Sequence, residues 1–294
     1  MKFNYECLNC HIKQGIKVSD FLGLDEPTKE QIVKEIMAGL STADFTKQNP
    51  ELMSDSWKVI TSISQNTDPY KTFKYDYNKI ILDIENPLTD LLNKQSIPFN
   101  SFLYAAILGN LIDLGPSHSF EKDNWLHLFE TELENINLAI NKSNELFSEL
   151  QKAKTLLYLG DNCGEIVLDK LFISHIKSLF PELSITFSVR DKPVLNDITL
   201  FDAEQVGLIP IVHTISNGQD TPGLILSKTS DEFKDHFEKA DIIIAKGQGN
   251  YEGLSDIHDS RIFHLFMVKC PLIASETGVP NMSKVCYRQK SKEA

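Results

Sequence analysis

Three polar loops, each placed after a short apolar run, carry the residue types that chemistry on a phosphate needs. The first is GDNCGE, residues 160–165, after TLLYL. Its Asp161 and Asn162 present hard oxygen donors of the kind Mg²⁺ or Mn²⁺ prefers. The second is VRDKPVLND, residues 189–197, where Asn196 and Asp197 precede a helical stretch. Two neighbouring strand ends that each offer an Asn–Asp pair favour a shared cation, held by Asp161, Asn162 and Asp197. The third is KGQGNYEGLS, residues 246–255, after DIIIA. Here Lys246 supplies positive charge, and glycines at 247 and 249 free the backbone to approach an anion, with Asn250 beside them. Each loop also has a plainer reading, as helix caps in the first two and a glycine-rich turn with an incidental lysine in the third. The third matches neither the phosphate-loop nor the dinucleotide pattern. Together they set a cation against a phosphate gripped by Lys246 and the amides around Gly247, an arrangement suited to hydrolysis at phosphorus. Asp161 and Lys246 are then the candidate catalytic residues, with Asp161 as a carboxylate nucleophile an open variant.

Other reactive residues give weaker signals. Arg190 and Lys192 read as solvated surface charges. Cys7 and Cys10, with His11 adjacent, resemble half of a zinc site, and Cys270 and Cys286 are the residues that could join them across the fold. Cys163 reads as a small buried filler. The eight histidines show no metal-binding pair at helical spacing, and only His118 and His213 stand out, beside turns. No Gly-x-Ser-x-Gly elbow occurs, which disfavours a Ser–His–Asp hydrolase.

The three loops need a scaffold that brings strand ends together. From Lys154 on, apolar runs alternate with amphipathic stretches: strands at 155–159, 183–189, 209–215, 241–245, 264–268 and 272–275, and helices near 164–179, 199–207 and 228–239. This alternation predicts a Rossmann-like parallel sheet flanked by helices, with ligands beyond the carboxyl ends of the strands. Residues 1–150 read as a helical region, with helices near 27–40, 50–65, 74–94, 99–113 and 121–150, packed against an α/β domain of residues 151–294. The tail RQKSKEA reads as frayed.

Composition limits the function classes. A formal charge of −12 and a pI near 5.1 argue against a nucleic-acid partner, which normally demands a basic face. An acidic protein that binds phosphate needs a divalent metal or placed lysines to offset repulsion. The absence of a long uncharged apolar run and of an apolar N-terminal stretch predicts no membrane partner and a cytoplasmic location. The oligomeric state is not legible in the sequence.

At these loops the chain resembles the damage-control phosphatase family, long filed as domain of unknown function 89. GDNCGEIVLDKL resembles the family's Asp-Asn-x-Gly-Glu motif, VLNDIT followed by Asp202-Ala203 its Asn-Asp element, and AKGQGNYEGLS its Lys-Gly-x-Gly-Asn loop. The likeness extends to DPYKTFKYDYN and to AILGNLIDLG at 106–115, and the Cys7-x-x-Cys10 pair is similar to the stand-alone archaeal and bacterial branch. The resemblance implies Asp161, Asn162 and Asp197 as ligands of a divalent ion (Mn, Ni, Co or Mg). It also implies Lys246, Gly247 and Asn250 as phosphate contacts, and Asn110 and Asp113 as residues lining the cleft. It implies hydrolysis of phosphate monoesters of small metabolites such as sugar phosphates and phosphopantetheine derivatives. An S-adenosylmethionine-dependent carboxyl methyltransferase and a non-catalytic phosphometabolite-binding protein are the rival readings.

Overall fold

A computed structural model describes residues 1–112 and 122–291, excepting the side chains of 110–112 and 122–124. The helical half comprises α1 (Leu8–Phe21), α2 (Glu26–Ser41), α3 (Asn49–Ser64), α4 (Lys71–Leu82), α5 (Glu85–Asn93), α6 (Pro98–Ile112) and α7 (Lys122–Glu134). Starts are set by local chemistry: Asp25 accepts a hydrogen bond from the Thr28 amide, and Gln48 and Glu51 form a reciprocal cap on α3. The stretch expected as one helix over 74–94 is two. Pro87 lacks an amide and its ring crowds the carbonyl four residues back, at Asp83, where α4 ends. The helix expected over 121–150 is interrupted by β1 (Ile140–Asn141) before α8 (Ser143–Leu150), because Ile140 and Asn141 pair with Val285 and Cys286.

The α/β half follows as β2 (Thr155–Leu159), α9 (Glu165–Leu179), β3 (Ser184–Val189), α10 (Leu200–Gln205), β4 (His213–Ser216), α11 (Asp231–Lys239), β5 (Ile242–Lys246), α12 (Gly247–Leu254), β6 (Ile262–Met267), α13 (Pro271–Thr277) and β7 (Lys284–Arg288). The sheet order is β1-β7-β6-β5-β2-β3-β4, parallel throughout except for the antiparallel β6–β7 pair. The Rossmann-like α/β fold with an N-terminal helical region is thus present. Two sequence expectations need correction. LIAS at 272–275 is helical, since Pro271 occupies a first-turn position whose fixed φ starts a helix. The start of the tail is ordered: Arg288 ends β7, and buried Gln289 donates to the carbonyls of Ser255 and Ile257.

The chain runs from β2 outward to β3 and β4, then returns to place β5 on the other flank of β2. That reversal opens a crevice between β2 and β5 at their carboxyl ends, the position where such sheets take ligands. Helix α6 closes the crevice from the helical side by packing on α9, and one apolar cluster runs from Leu103 and Ile107 through Ile166 and Phe172 to Tyr158 and Phe187. Among the described residues no helix is long and apolar enough to cross a membrane.

Candidate active site

Gly160 follows β2 directly and puts Asp161 and Asn162 at the crevice, both buried. The second loop folds back on the first: the Ile198 amide donates to the Asp161 carbonyl at 3.0 Å, the Cys163 amide to the Asn196 carbonyl at 3.0 Å, and Asn162 bridges Asp197. Two buried carboxylates, Asp161 and Asp197, therefore come from adjacent strand ends. Burial holds the Asp161 carboxyl well above the usual carboxylate range, with Asp197 and Glu165 adding repulsion and Lys269 and Arg190 opposing it. The Asn162 side-chain amide donates to Asp161 Oδ2 at 2.8 Å.

The third loop begins α12 against Asp161. Gly247 has φ +77°, and a Cβ built there would lie 1.8 Å from Asp161 Oδ2, so only glycine lets the carboxylate sit over the start of the helix. First-turn amides of a helix have no acceptor within it, and the start of α12 lies against Asp161 at the crevice.

Arg190, expected in solvent, is 2% exposed. Its Nε donates to Asp197 Oδ2 at 2.7 Å and its Nη2 to Asn250 Oδ1 at 3.1 Å, with Asp161 Oδ1 at 3.9 Å. Asn250 in turn donates to the carbonyls of Lys246 (2.7 Å) and Gly160 (3.2 Å), so one guanidinium ties all three loops together. Lys192 is exposed, as expected.

Lys246 is fully buried beneath the loops. Its Nζ donates to the Ala106 carbonyl at 2.8 Å, to Asp169 Oδ1 at 2.7 Å and to Glu165 Oε1, while the Tyr158 hydroxyl donates to Asp169 Oδ1 at 2.6 Å. The ammonium is committed to one carbonyl and two carboxylate oxygens. Burial lifts the Glu165 carboxyl to about 7 against the pull of Lys246, and α6 approaches so closely that a Cβ on Gly109 would meet Glu165 Cγ at 2.6 Å.

Sequence reasoning missed three contributors. Lys269, half-buried after β6, carries the cation whose field reaches Asp161 and Glu165; it follows HLFMV just as Lys246 follows DIIIA, and that parallel was the available signal. Asn78 reaches from α4 to accept the Gly164 amide at 2.6 Å while donating to Asp202 and Gln205. A fourth loop after β4 buries Asn217, Gln219 and Thr221, and the Gly249 carbonyl packs against Gly223 of that loop. Asp113 lies outside the described residues, as does the side chain of Asn110; the same holds for His118. His213 lies away from this crevice, at the amino end of β4.

The cysteines divide. Burial pushes the Cys7 thiol up to about 12, with Glu252, Cys10 and Cys270 contributing, so those three thiols share one region. Cys286 is also pushed up to about 12 by burial, its charged neighbours being Lys142 and Glu145. Cys163 is buried in the main apolar cluster, as a filler would be.

The family model for the damage-control phosphatase ARMT1-like domain matches residues 3–285. The chain belongs to the damage-control phosphatase family. It is 32% identical over 298 residues to a damage-control phosphatase of Pyrococcus horikoshii, covering 99% of this chain and 100% of that one. A damage-control phosphatase of Archaeoglobus fulgidus is 28% identical over 282 residues, with 95% and 96% covered. The crystal structure of a DUF89 family protein from Pyrococcus horikoshii superposes with a TM-score of 0.91 at 32% identity, covering 99% of this chain and all of that one.

Proposed function

We propose that this protein hydrolyses phosphate monoesters of small metabolites in the crevice between β2 and β5, with a divalent cation held by Asp161, Asn162 and Asp197. The observation that carries this reading is the pair of buried carboxylates from adjacent strand ends, Asp161 and Asp197, with Asp161 set over the first turn of α12. Burial first, and then repulsion from Asp197, raises the Asp161 pKa, and a cation between the two carboxylates relieves that cost. The donor set, two carboxylates and a carboxamide, fits a hard ion such as Mg²⁺ or Mn²⁺. When bound, such an ion polarises a phosphoryl oxygen and offsets its charge.

The chain's own residues supply the rest. The amides of Gly247 and its neighbours face the phosphoryl oxygens, and Lys269 adds the cation that Lys246 does not offer. Arg190 holds Asp197 and Asn250 in place and so fixes the relation of the second loop to the third. Lys246 anchors β5 to α9 and α6 through Asp169, Glu165 and the Ala106 carbonyl. Its ammonium compensates the charge of Glu165, which otherwise repels Asp161.

The test is phosphate release from a panel of sugar phosphates and phosphopantetheine. The protein is treated with EDTA, and Mg²⁺, Mn²⁺, Co²⁺ or Ni²⁺ is restored singly. Metal-restored release that Asp161→Ala and Asp197→Ala both abolish is the expected result. Full release by the EDTA-treated protein, or by either variant, would overturn the proposed site.

A further inference from the structure

The histidines share no helical spacing in the sequence, yet the fold brings two together from different elements. His213 opens β4, the edge strand, while Glu232 and His236 stand one turn apart on α11. One ligand atom from each of the three lies within 4.8 Å of the other two, the only such group of three His, Cys, Asp or Glu side chains among the described residues. The two imidazole rings are 5.5 Å apart and inclined by 37°. Donors bound to one ion at about 2.1 Å stand roughly 3.4 Å from each other, so small side-chain rotations close the remaining distance.

The surroundings favour a cation. His236 Nδ1 lies 3.3 Å from Thr186 Oγ1, and a hydrogen bond on one ring nitrogen orients the imidazole and leaves the other for a ligand. The basic residues of α11 are engaged with other acids, Lys234 with Asp231 at 3.6 Å and Lys239 with Asp235 at 2.6 Å. Beside His236 lies a cavity of about 280 Å³ bounded also by Thr186, Asp235 and Lys239. His213 and Glu232 are exposed and His236 is half-buried, so coordination positions beyond the three protein donors open to water.

We infer that His213, Glu232 and His236 form a second cation site, one that takes a borderline transition ion such as Zn²⁺, Cu²⁺, Ni²⁺ or Co²⁺. Two imidazoles and one carboxylate discriminate against Mg²⁺, whereas the all-oxygen set at Asp161, Asn162 and Asp197 accepts it. The sites are also apart in space. His213 pairs with Thr186 near the amino end of β3, and the crevice lies beyond the carboxyl end of that strand at Val189. Three protein ligands with open positions make a site that can hold an exogenous ligand as well as the ion. This inference stands whether or not the crevice hydrolyses phosphate.

Equilibrium dialysis of the EDTA-treated protein against Zn²⁺ alone and against Mg²⁺ alone tests it. The comparison uses the parent protein, a His213→Ala/His236→Ala double variant, and an Asp161→Ala/Asp197→Ala double variant. The expected outcome is that the histidine variant loses one equivalent of Zn²⁺ and keeps its Mg²⁺ binding. The aspartate variant should lose Mg²⁺ and retain the histidine-dependent Zn²⁺. Cu²⁺ added at one equivalent to the aspartate variant should give an electron paramagnetic resonance spectrum with nitrogen splittings that His213→Ala/His236→Ala removes. Equal Zn²⁺ stoichiometry and affinity in the parent and the histidine variant, with both folded by circular dichroism, would sink the proposal.

Discussion

Replacing Gly247 by alanine tests whether the position of Asp161 over α12 governs turnover. The new Cβ would lie 1.8 Å from Asp161 Oδ2 and 2.1 Å from its Cγ, whereas ordinary contact begins near 3.4 Å. The oxygen must therefore retreat by about 1.6 Å, or the helix start must move by as much. At φ +77° the alanine also enters the left-handed region, which costs an L-residue roughly 1–2 kcal/mol. A 1 Å misplacement of a reacting group costs on the order of 100-fold in rate, so kcat should fall by about that factor or more. Stability should fall by only a few kcal/mol. Initial rates of phosphate release and urea unfolding curves separate the two effects, and Gly39→Ala, where a Cβ meets nothing within 4 Å, is the control. Near-parental kcat in a Gly247→Ala protein of ordinary stability would refute the claim that this carboxylate needs its observed place.

Lys246→Met should destabilise the fold by about 3–5 kcal/mol in urea, because Asp169 and Glu165 lose the cation that compensates them in a buried setting; adding Asp169→Leu should recover part of the loss. Arg190→Lys keeps the charge but not the planar fork that spans Asp197 and Asn250, and should lower activity or metal affinity roughly 10–100-fold while leaving the unfolding midpoint within reach of the parent. Burial lowers His264 from 6.5 to about 3, so the unfolded chain takes up a proton that the fold refuses. Its contribution is intact above pH 6.5 and lost on going down to pH 3 at about 1.4 kcal/mol per unit, or ~2 kcal/mol by pH 5. Urea titrations at pH 8 and pH 5 should show a smaller pH-dependent loss for His264→Phe than for the parent.

What the sequence disclosed follows from how local each signal is. Asp161, Asn162 and Lys246 stand directly after apolar runs, and the register of a buried strand sends its last residues to the carboxyl edge without further information. Arg190 was misread because nothing in VRDK distinguishes a buried guanidinium from a solvated one; its environment is made by Asn250, sixty residues further on. For Lys246 the sequence reading named no partners within the protein. Its partners on α9, Glu165 and Asp169, were visible as an acidic i,i+4 pair, but only the packing of α6 on α9 shows that they face a dry interior. The final strand failed for a topological reason: KVCYR reverses direction beside β6, and the βαβ rhythm that exposed the other strands carries no hint of such a return.

The charge balance of the crevice explains how an acidic protein can select an acidic substrate. The described groups around it are Asp161, Asp197, Glu165 and Asp169 against Arg190, Lys246 and Lys269, a formal excess of one negative charge if all are ionised. A divalent cation at Asp161, Asn162 and Asp197 reverses that sign to one positive charge, and does so in a buried place where screening is weak. Binding of a phosphate dianion and binding of the cation are then linked, each raising the affinity for the other by the same factor. Inorganic phosphate should therefore bind the metal-free protein weakly and the Mg²⁺-loaded protein more tightly, with a matching increase in Mg²⁺ affinity when phosphate is present. Calorimetric titration in both orders checks the equality. Phosphate affinity that ignores Mg²⁺ would mean that Lys269 and the α12 amides suffice, and that the paired carboxylates serve another purpose.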